Sequence, residues 1–200
     1  MTKQTAPGGR LVVVSGPSGA GKTTVLRRLL RCSRVPLAAS VSATTRPPRP
    51  GETDGVDYHF LTSEEFDRRR RNGEFIECFQ VFERNNWYGT LRSEVNAGLQ
   101  AGKWMVLSID VQGALAVMEQ FPDAITIFVR PGSWDELERR LRGRGTESDE
   151  TIRRRLQTAR EELELADRYR YQVVNDDVDL AVERINSILA QQWEAQRDDR

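Results

Sequence analysis

Apolar residues fall along the chain in short runs separated by stretches of helical periodicity. Leu11–Ser15, Trp104–Ile109, Ile125–Val129 and Tyr171–Val174 are rich in Val, Ile and Leu and too short for helices, so each predicts a strand. Helical patterns follow them at Lys22–Arg31, Val111–Gln120, Trp134–Leu141 and Asp177–Trp193. In the last of these, Val182, Ile185, Leu189 and Trp193 share one face. Strands that are apolar throughout and alternate with helices predict a parallel sheet covered on both sides, an α/β fold with a three-layer core.

Two segments break the rhythm. Val41–Leu91 opens with a turn-rich stretch (Pro47, Pro48, Pro50, Gly51, Asp54, Gly55). Strand-like pieces follow at Tyr58–Leu61 and Phe75–Phe82, with a polar helix at Ser63–Asn72 between them. This predicts an inserted α+β lobe. Trp134–Leu165 is almost wholly charged, with Gly143 and Gly145 between Arg-rich stretches. So little apolar face predicts a solvated helical hairpin or a lid rather than core. The expected division is core over 1–40, lobe over 41–91, core over 92–133, lid over 134–165 and core again over 166–200.

Composition narrows the class. At 200 residues, 38% hydrophobic and 30% charged, the chain is one globular domain carrying small insertions. Its 30 Lys and Arg balance 30 Asp and Glu, which gives no support to nucleic acid or a membrane surface as partner. Apolar runs such as Leu11–Val14 are far below the roughly 18 residues of a membrane span, and the first ten residues lack the apolar stretch of a secretory signal. Cys32 and Cys78 are too few for a zinc site or a disulfide framework and predict buried, reduced thiols. Together these predict a soluble cytoplasmic protein.

The first strand runs into Gly16-Pro17-Ser18-Gly19-Ala20-Gly21-Lys22-Thr23, followed by Thr24 and a helix, which is the full phosphate-loop pattern in its required context. Glycines let the backbone wrap a phosphate with successive N–H groups pointing inward, and the helix adds the partial positive charge of its N-terminus. Lys22 reaches the β- and γ-phosphates and the Thr23 hydroxyl can ligate Mg²⁺. The loop predicts a nucleoside triphosphate, with Mg²⁺ as its cofactor, and leaves the acceptor open.

Further on stand Ser42-Ala43-Thr44-Thr45-Arg46-Pro47-Pro48-Arg49-Pro50-Gly51-Glu52, Gly55-Val56-Asp57-Tyr58-His59-Phe60, Gly73-Glu74-Phe75-Ile76-Glu77 and Trp87-Tyr88-Gly89-Thr90. In these motifs, and in their order, the chain resembles the guanylate kinases over Leu11 to about Ala190. The resemblance implies transfer of a phosphoryl group from ATP to GMP, with dGMP as a further acceptor, by a monomer or homodimer. It implies that Arg46, Arg49, Tyr58 and Tyr88 hold the GMP phosphate and that Ser42, Glu77, Thr90 and Asp110 surround the guanine. Residue chemistry agrees. Two arginines three apart can clamp one phosphate, and a carboxylate accepts the adjacent N1–H and N2–H donors of guanine where adenine offers an acceptor at N1. His59, the single histidine, has no partner motif and is read as structural.

Asp110 ends the run Ser108-Ile109-Asp110 at the carboxyl end of a strand, where α/β proteins bind ligands. The family usually has an acid at both ends of this triplet; Ser108 cannot supply that charge. In the lid segment, Arg140, Arg144 and Arg155 match family arginines that grip the transferring phosphoryl group, and the resemblance places Asn175 near the adenine. The rival reading from another class is a catalytically inactive guanylate-kinase-like binding module, against which the intact loop argues. Glu77 argues against a kinase for adenine mononucleotides, and a regulatory GTPase would carry an Asn-Lys-x-Asp motif that this chain lacks.

Overall fold

The computed structural model describes residues 8–81, 86–143 and 149–198. Strand β1 (Leu11–Ser15) is buried along its whole length, because successive side chains point to opposite faces and both faces are covered. It lies at the centre of a five-stranded sheet in the order β2 (Leu37–Ala39), β7 (Trp104–Ser108), β1, β8 (Ile125–Pro131), β9 (Tyr171–Asn175). Every neighbouring pair is parallel.

Val12 and Val14 pack with Val25 and Leu29 of α1 (Lys22–Cys32) and with Val182, Ile185 and Leu189 of α7 (Val178–Asp198). Leu11 and Val13 face the other way, toward Val95 of α3 (Arg92–Gln100) and Val111, Ala114 and Val117 of α4 (Val111–Gln120). The three layers follow from this two-sided burial, each fully buried aliphatic side chain contributing about 1.5–3 kcal/mol. Because the strands are parallel, the carboxyl ends of β1, β7 and β9 bring Gly16–Lys22, Asp110 and Asn175 to one edge.

A second, mixed sheet has the order β4 (His59–Phe60), β3 (Ala43–Thr44), β6 (Asn86–Leu91), β5 (Phe75–Val81). Helix α2 (Ser63–Arg71) is capped by Thr62, whose Oγ1 accepts from the Glu65 N–H. It anchors through buried Phe66, stacked on Phe75 at 4.5 Å. The strand expected to reach Phe82 runs to Val81, and Phe82 lies outside the described residues. β2, β3, β6 and α3 are elements that the apolar pattern does not announce.

The charged segment folds as a helical hairpin, one of the two forms its pattern allows, and adds a small core of its own. α5 (Trp134–Arg142) and α6 (Asp149–Glu164) bury Leu137, Leu141 and Ala159 there, with Trp134 and Leu156 packed against them. A few apolar residues at i, i+4 spacing suffice for a helical hairpin, even among so many charges. The cysteines differ from the buried thiols expected: Cys32 is exposed and Cys78 half-buried. Among the described residues, no helix is long and apolar enough to cross a membrane.

Candidate active site

The loop between β1 and α1 owes its shape to backbone that only glycine adopts freely. Gly16, Gly19 and Gly21 all have positive φ (140°, 90° and 85°). A side chain on Gly16 would also strike the Val129 carbonyl. The ammonium of Lys22 donates to the Gly16 and Pro17 carbonyls, the latter at 3.1 Å, so it lies folded over the loop it serves. Gly16, Pro17 and Ala20 are buried, whereas Ser18, Thr23 and Thr24 are exposed along the rim and the first turn of α1. Asn175, at the end of β9, is 1% exposed and donates through Nδ2 to the Ala20 carbonyl at 2.7 Å. That bond braces the loop.

On the second sheet, Arg46 is 6% exposed and forms a two-pronged pair with Glu52, both N···O distances being 2.9 Å. Its guanidinium carbon stands 5.3 Å from the Tyr58 ring centre and 5.6 Å from that of Phe60. Tyr88 crosses Tyr58 edge-on at 6.0 Å. The hydrogen bonds of Glu52 first, and of Tyr88, hold the guanidinium firmly charged by raising its pKa despite burial. Arg49 is exposed on the same loop, its N–H donating to Glu52 at 2.7 Å. Arg46, Tyr58 and Tyr88 therefore meet, with Arg49 at the mouth. Glu52, which no sequence argument singled out, aligns both arginine positions. Ser42 stands at the entrance to β3, its carbonyl accepting from the His59 N–H at 2.9 Å. His59 itself pairs with Glu94 at 3.0 Å and ties β4 to α3, in keeping with a structural role.

Glu77 faces Thr90 across β5 and β6, and Thr90 Oγ1 donates to Glu77 Oε1 at 2.6 Å. The register shifts between Phe75 and Glu77, a bulge that re-aims the carboxylate. Gly89 lies beside this pair, and a Cβ there would come within 2.9 Å of Cys78 Cβ and the Glu77 carbonyl. The other carboxylate oxygen lies over Gly113 at the start of α4, where Asp110 Oδ1 accepts the Gly113 N–H at 2.7 Å. Burial above all, with the nearby Asp110 charge, raises the Glu77 carboxyl to about 7 against the pull of its bonds to Thr90. Glu77, Thr90 and Asp110 thus form one polar cluster between the sheets.

The helical hairpin meets the phosphate loop directly. A Cβ on Gly19 would stand 2.9 Å from Leu137 Cδ1 and 3.2 Å from Leu141 Cδ2. Arg140 reaches the Gly19 carbonyl at 3.4 Å while pairing with Glu136 at 2.5 Å, and Arg155 donates to Ser18 Oγ at 2.7 Å. Arg144 and Gly145 lie outside the described residues.

This arrangement has close counterparts. The guanylate kinase family model matches residues 8–192. The chain belongs to the guanylate kinase family. It is 56% identical over 190 residues to the guanylate kinase of Rhodopirellula baltica, covering 94% of this chain and 91% of that one. To the guanylate kinase of Nostoc sp. it is 46% identical over 189 residues, covering 94% and 93%. The crystal structure of guanylate kinase from Anaplasma phagocytophilum superposes with a TM-score of 0.77 at 36% identity, covering 94% of this chain and 87% of that one. The family therefore spans both sheets and the hairpin, not the phosphate loop alone.

Proposed function

We propose that the protein transfers the γ-phosphoryl group of ATP to GMP, giving ADP and GDP, in cytoplasmic purine nucleotide metabolism. The observation that carries this is a complete phosphate loop and Asp110 at one edge of the parallel sheet, together with a second sheet that holds buried Arg46 against Tyr58 and the Glu77 carboxylate against Thr90 and over Gly113 beside Asp110. In this reading Gly16–Thr24 cradle the ATP phosphates. Arg46, Arg49, Tyr58 and Tyr88 take the GMP phosphate, and Ser42, Glu77, Thr90 and Asp110 border the guanine. A phosphate monoester is already an anionic nucleophile, so catalysis needs positioning and charge stabilisation and no general base. Lys22, Arg46, Arg140, Arg144 and Arg155 supply the cations for charge spread over the transferring group.

Mg²⁺ fits the residues present. Thr23 offers an exposed hydroxyl in the first turn of α1 beside Lys22, and among the described residues no group of three or more His, Cys, Asp or Glu gathers. That suits an ion held chiefly by the nucleotide's phosphates, with Thr23 as the protein ligand. The ion's contribution is to neutralise charge on the β- and γ-phosphates.

Offering GMP, AMP, UMP and CMP separately in a coupled assay of ADP formation tests the reading. GMP alone should give substantial turnover; equal rates with AMP would refute it. Residues 41–91 and 134–165 are further proposed to act as GMP-binding lobe and lid, closing on phosphates held by Lys22. Phosphate charge supplies the differential affinity for the closed form. Small-angle scattering with a bisubstrate analogue should show a smaller radius of gyration than without it. An unchanged radius with the analogue bound would rule closure out.

A further inference from the structure

Helix α4 meets strand β5 twice, and both contacts bear on Glu77. At the start of the helix, Gly113 lies under Glu77 Oε2 and its N–H is held by Asp110. At the end, Gln120 donates through Nε2 to the Ile76 carbonyl at 2.8 Å. Gly113 and Gln120 are seven positions apart and so share one face of the helix. Ile76 is the extra residue of the bulge: Phe75 pairs with Leu91 and Glu77 with Thr90, which leaves Ile76 without a register partner. Gln120 thus takes up the carbonyl at the bulge. That carbonyl belongs to the planar peptide unit whose far end is the Glu77 Cα, so fixing one orients the other.

The Gln120 amide is itself oriented by Arg92. Its Oε1 accepts from Arg92 Nη2 at 3.1 Å, and because a guanidinium only donates, Nε2 is left facing Ile76. Nε2 also lies 3.3 Å from the Ala116 carbonyl of its own helix. Arg92, the first residue of α3, donates from Nε to the Gly73 carbonyl at 3.2 Å and from its backbone to the Glu74 carbonyl at 2.9 Å. Gln120 and Arg92 together clamp the chain at Gly73, Glu74 and Ile76, immediately before Glu77. Apolar burial fixes the same stretch from two sides. Phe75 stacks on Phe66 within the lobe, and Ile76 packs in the core with Val111, Ala114 and Val117.

We infer that Gln120, through the bulge carbonyl, is a positioning residue for base recognition that sets the aim of the Glu77 carboxylate at the two adjacent donors of guanine. This rests on the functional reading above and deepens it, because it assigns specificity to a residue at the opposite end of α4 from Asp110. Aim matters more to a pair of hydrogen bonds than to one. A carboxylate that has tilted can keep N1–H and lose N2–H. The quantity that suffers is then the preference for guanine over hypoxanthine, which has the N1–H and lacks the N2 amino group.

Two variants test this. Gln120→Met keeps the length of the side chain and removes both bonds. Gln120→Glu, at pH 8, keeps the acceptor for Arg92 and turns a carboxylate oxygen toward the Ile76 carbonyl. The readouts are the Kd of GMP and of IMP by calorimetry, kcat/KM for each, and the KM for ATP. Both variants should lower the preference for GMP over IMP by roughly 3- to 10-fold, the scale of one neutral hydrogen bond, by weakening GMP and sparing IMP. The KM for ATP should not change. Equal losses for GMP and IMP would overturn the inference and make Gln120 a support for the lobe. An unchanged preference in either variant would overturn it too: in Gln120→Met because neither bond matters, in Gln120→Glu because the bond to Ile76 does not. Gln120 is exposed, and circular dichroism checks the fold; should one variant fail to fold, the other decides. A wild-type protein that binds GMP over IMP without phosphorylating it, and loses that preference in the variants, would overturn the functional reading and leave this inference standing.

Discussion

Lys22→Ala should leave a folded protein with kcat lowered by at least about a thousandfold, on the scale of removing a cation or donor aimed at developing charge. The ammonium bonds the Gly16 and Pro17 carbonyls, so its loss relaxes part of the loop. The loop keeps its other supports: Ala20 buried beneath it, the Ala20-to-Pro17 backbone bond at 3.1 Å, and Asn175 bracing Ala20 from below. The stability change should therefore stay within about 1 kcal/mol, a shift of roughly 2–4 °C in Tm for a chain of this size. Circular dichroism and the coupled assay separate the two effects. Wild-type turnover with an unchanged spectrum would refute the phosphate-loop assignment.

The parallel sheet was legible because burial on both faces leaves mostly apolar runs in β1, β7 and β8, while β9, at the sheet's edge, still shows Tyr171, Val173 and Val174. The second sheet was harder. β3 is two residues long, and β6 reads Asn-Trp-Tyr-Gly-Thr-Leu, in which Gly89 is required by close backbone approach rather than by strand propensity. The core of the helical hairpin was hidden for a different reason. Its few apolar residues, Leu137, Leu141 and Ala159 with Trp134 and Leu156 beside them, are scattered among arginines and glutamates, and Leu137 and Leu141 also meet Gly19, more than a hundred residues earlier in the chain. Among candidate site residues, those inside contiguous motifs were visible. Glu52 was not, because a carboxylate that aligns an arginine looks in sequence like any solvated acid. Only the fold shows the two-pronged pair with Arg46.

Glu77→Gln should trade function for stability. The substitution keeps size and shape but replaces one acceptor oxygen by an NH₂ group, so a donor would face the donors of guanine. A mismatched buried hydrogen bond costs on the order of 1–3 kcal/mol, predicting a roughly 5- to 150-fold loss of kcat/KM for GMP. The KM for ATP should barely change; equal losses for both substrates would mean that Glu77 supports structure and does not read the base. The pH dependence runs in opposite directions for the two properties. The carboxyl lies at about 7 when folded, against 4.5 as its ordinary value, so the folded state binds the extra proton between those limits. The associated stability is fully present below pH 4.5 and is lost as pH rises through 7, at a cost of up to about 3 kcal/mol. Glu77→Gln carries no such cost, so its Tm should exceed wild type by up to roughly 6–12 °C at pH 8 and converge with it near pH 4.5. Guanine recognition needs the ionised carboxylate. Wild-type kcat/KM for GMP should therefore fall toward about tenfold per pH unit below 7, and the Gln variant should lose most of that slope. A wild-type profile flat from pH 5.5 to 8, together with an unchanged Tm difference across that range, would show that the buried carboxyl does not titrate there.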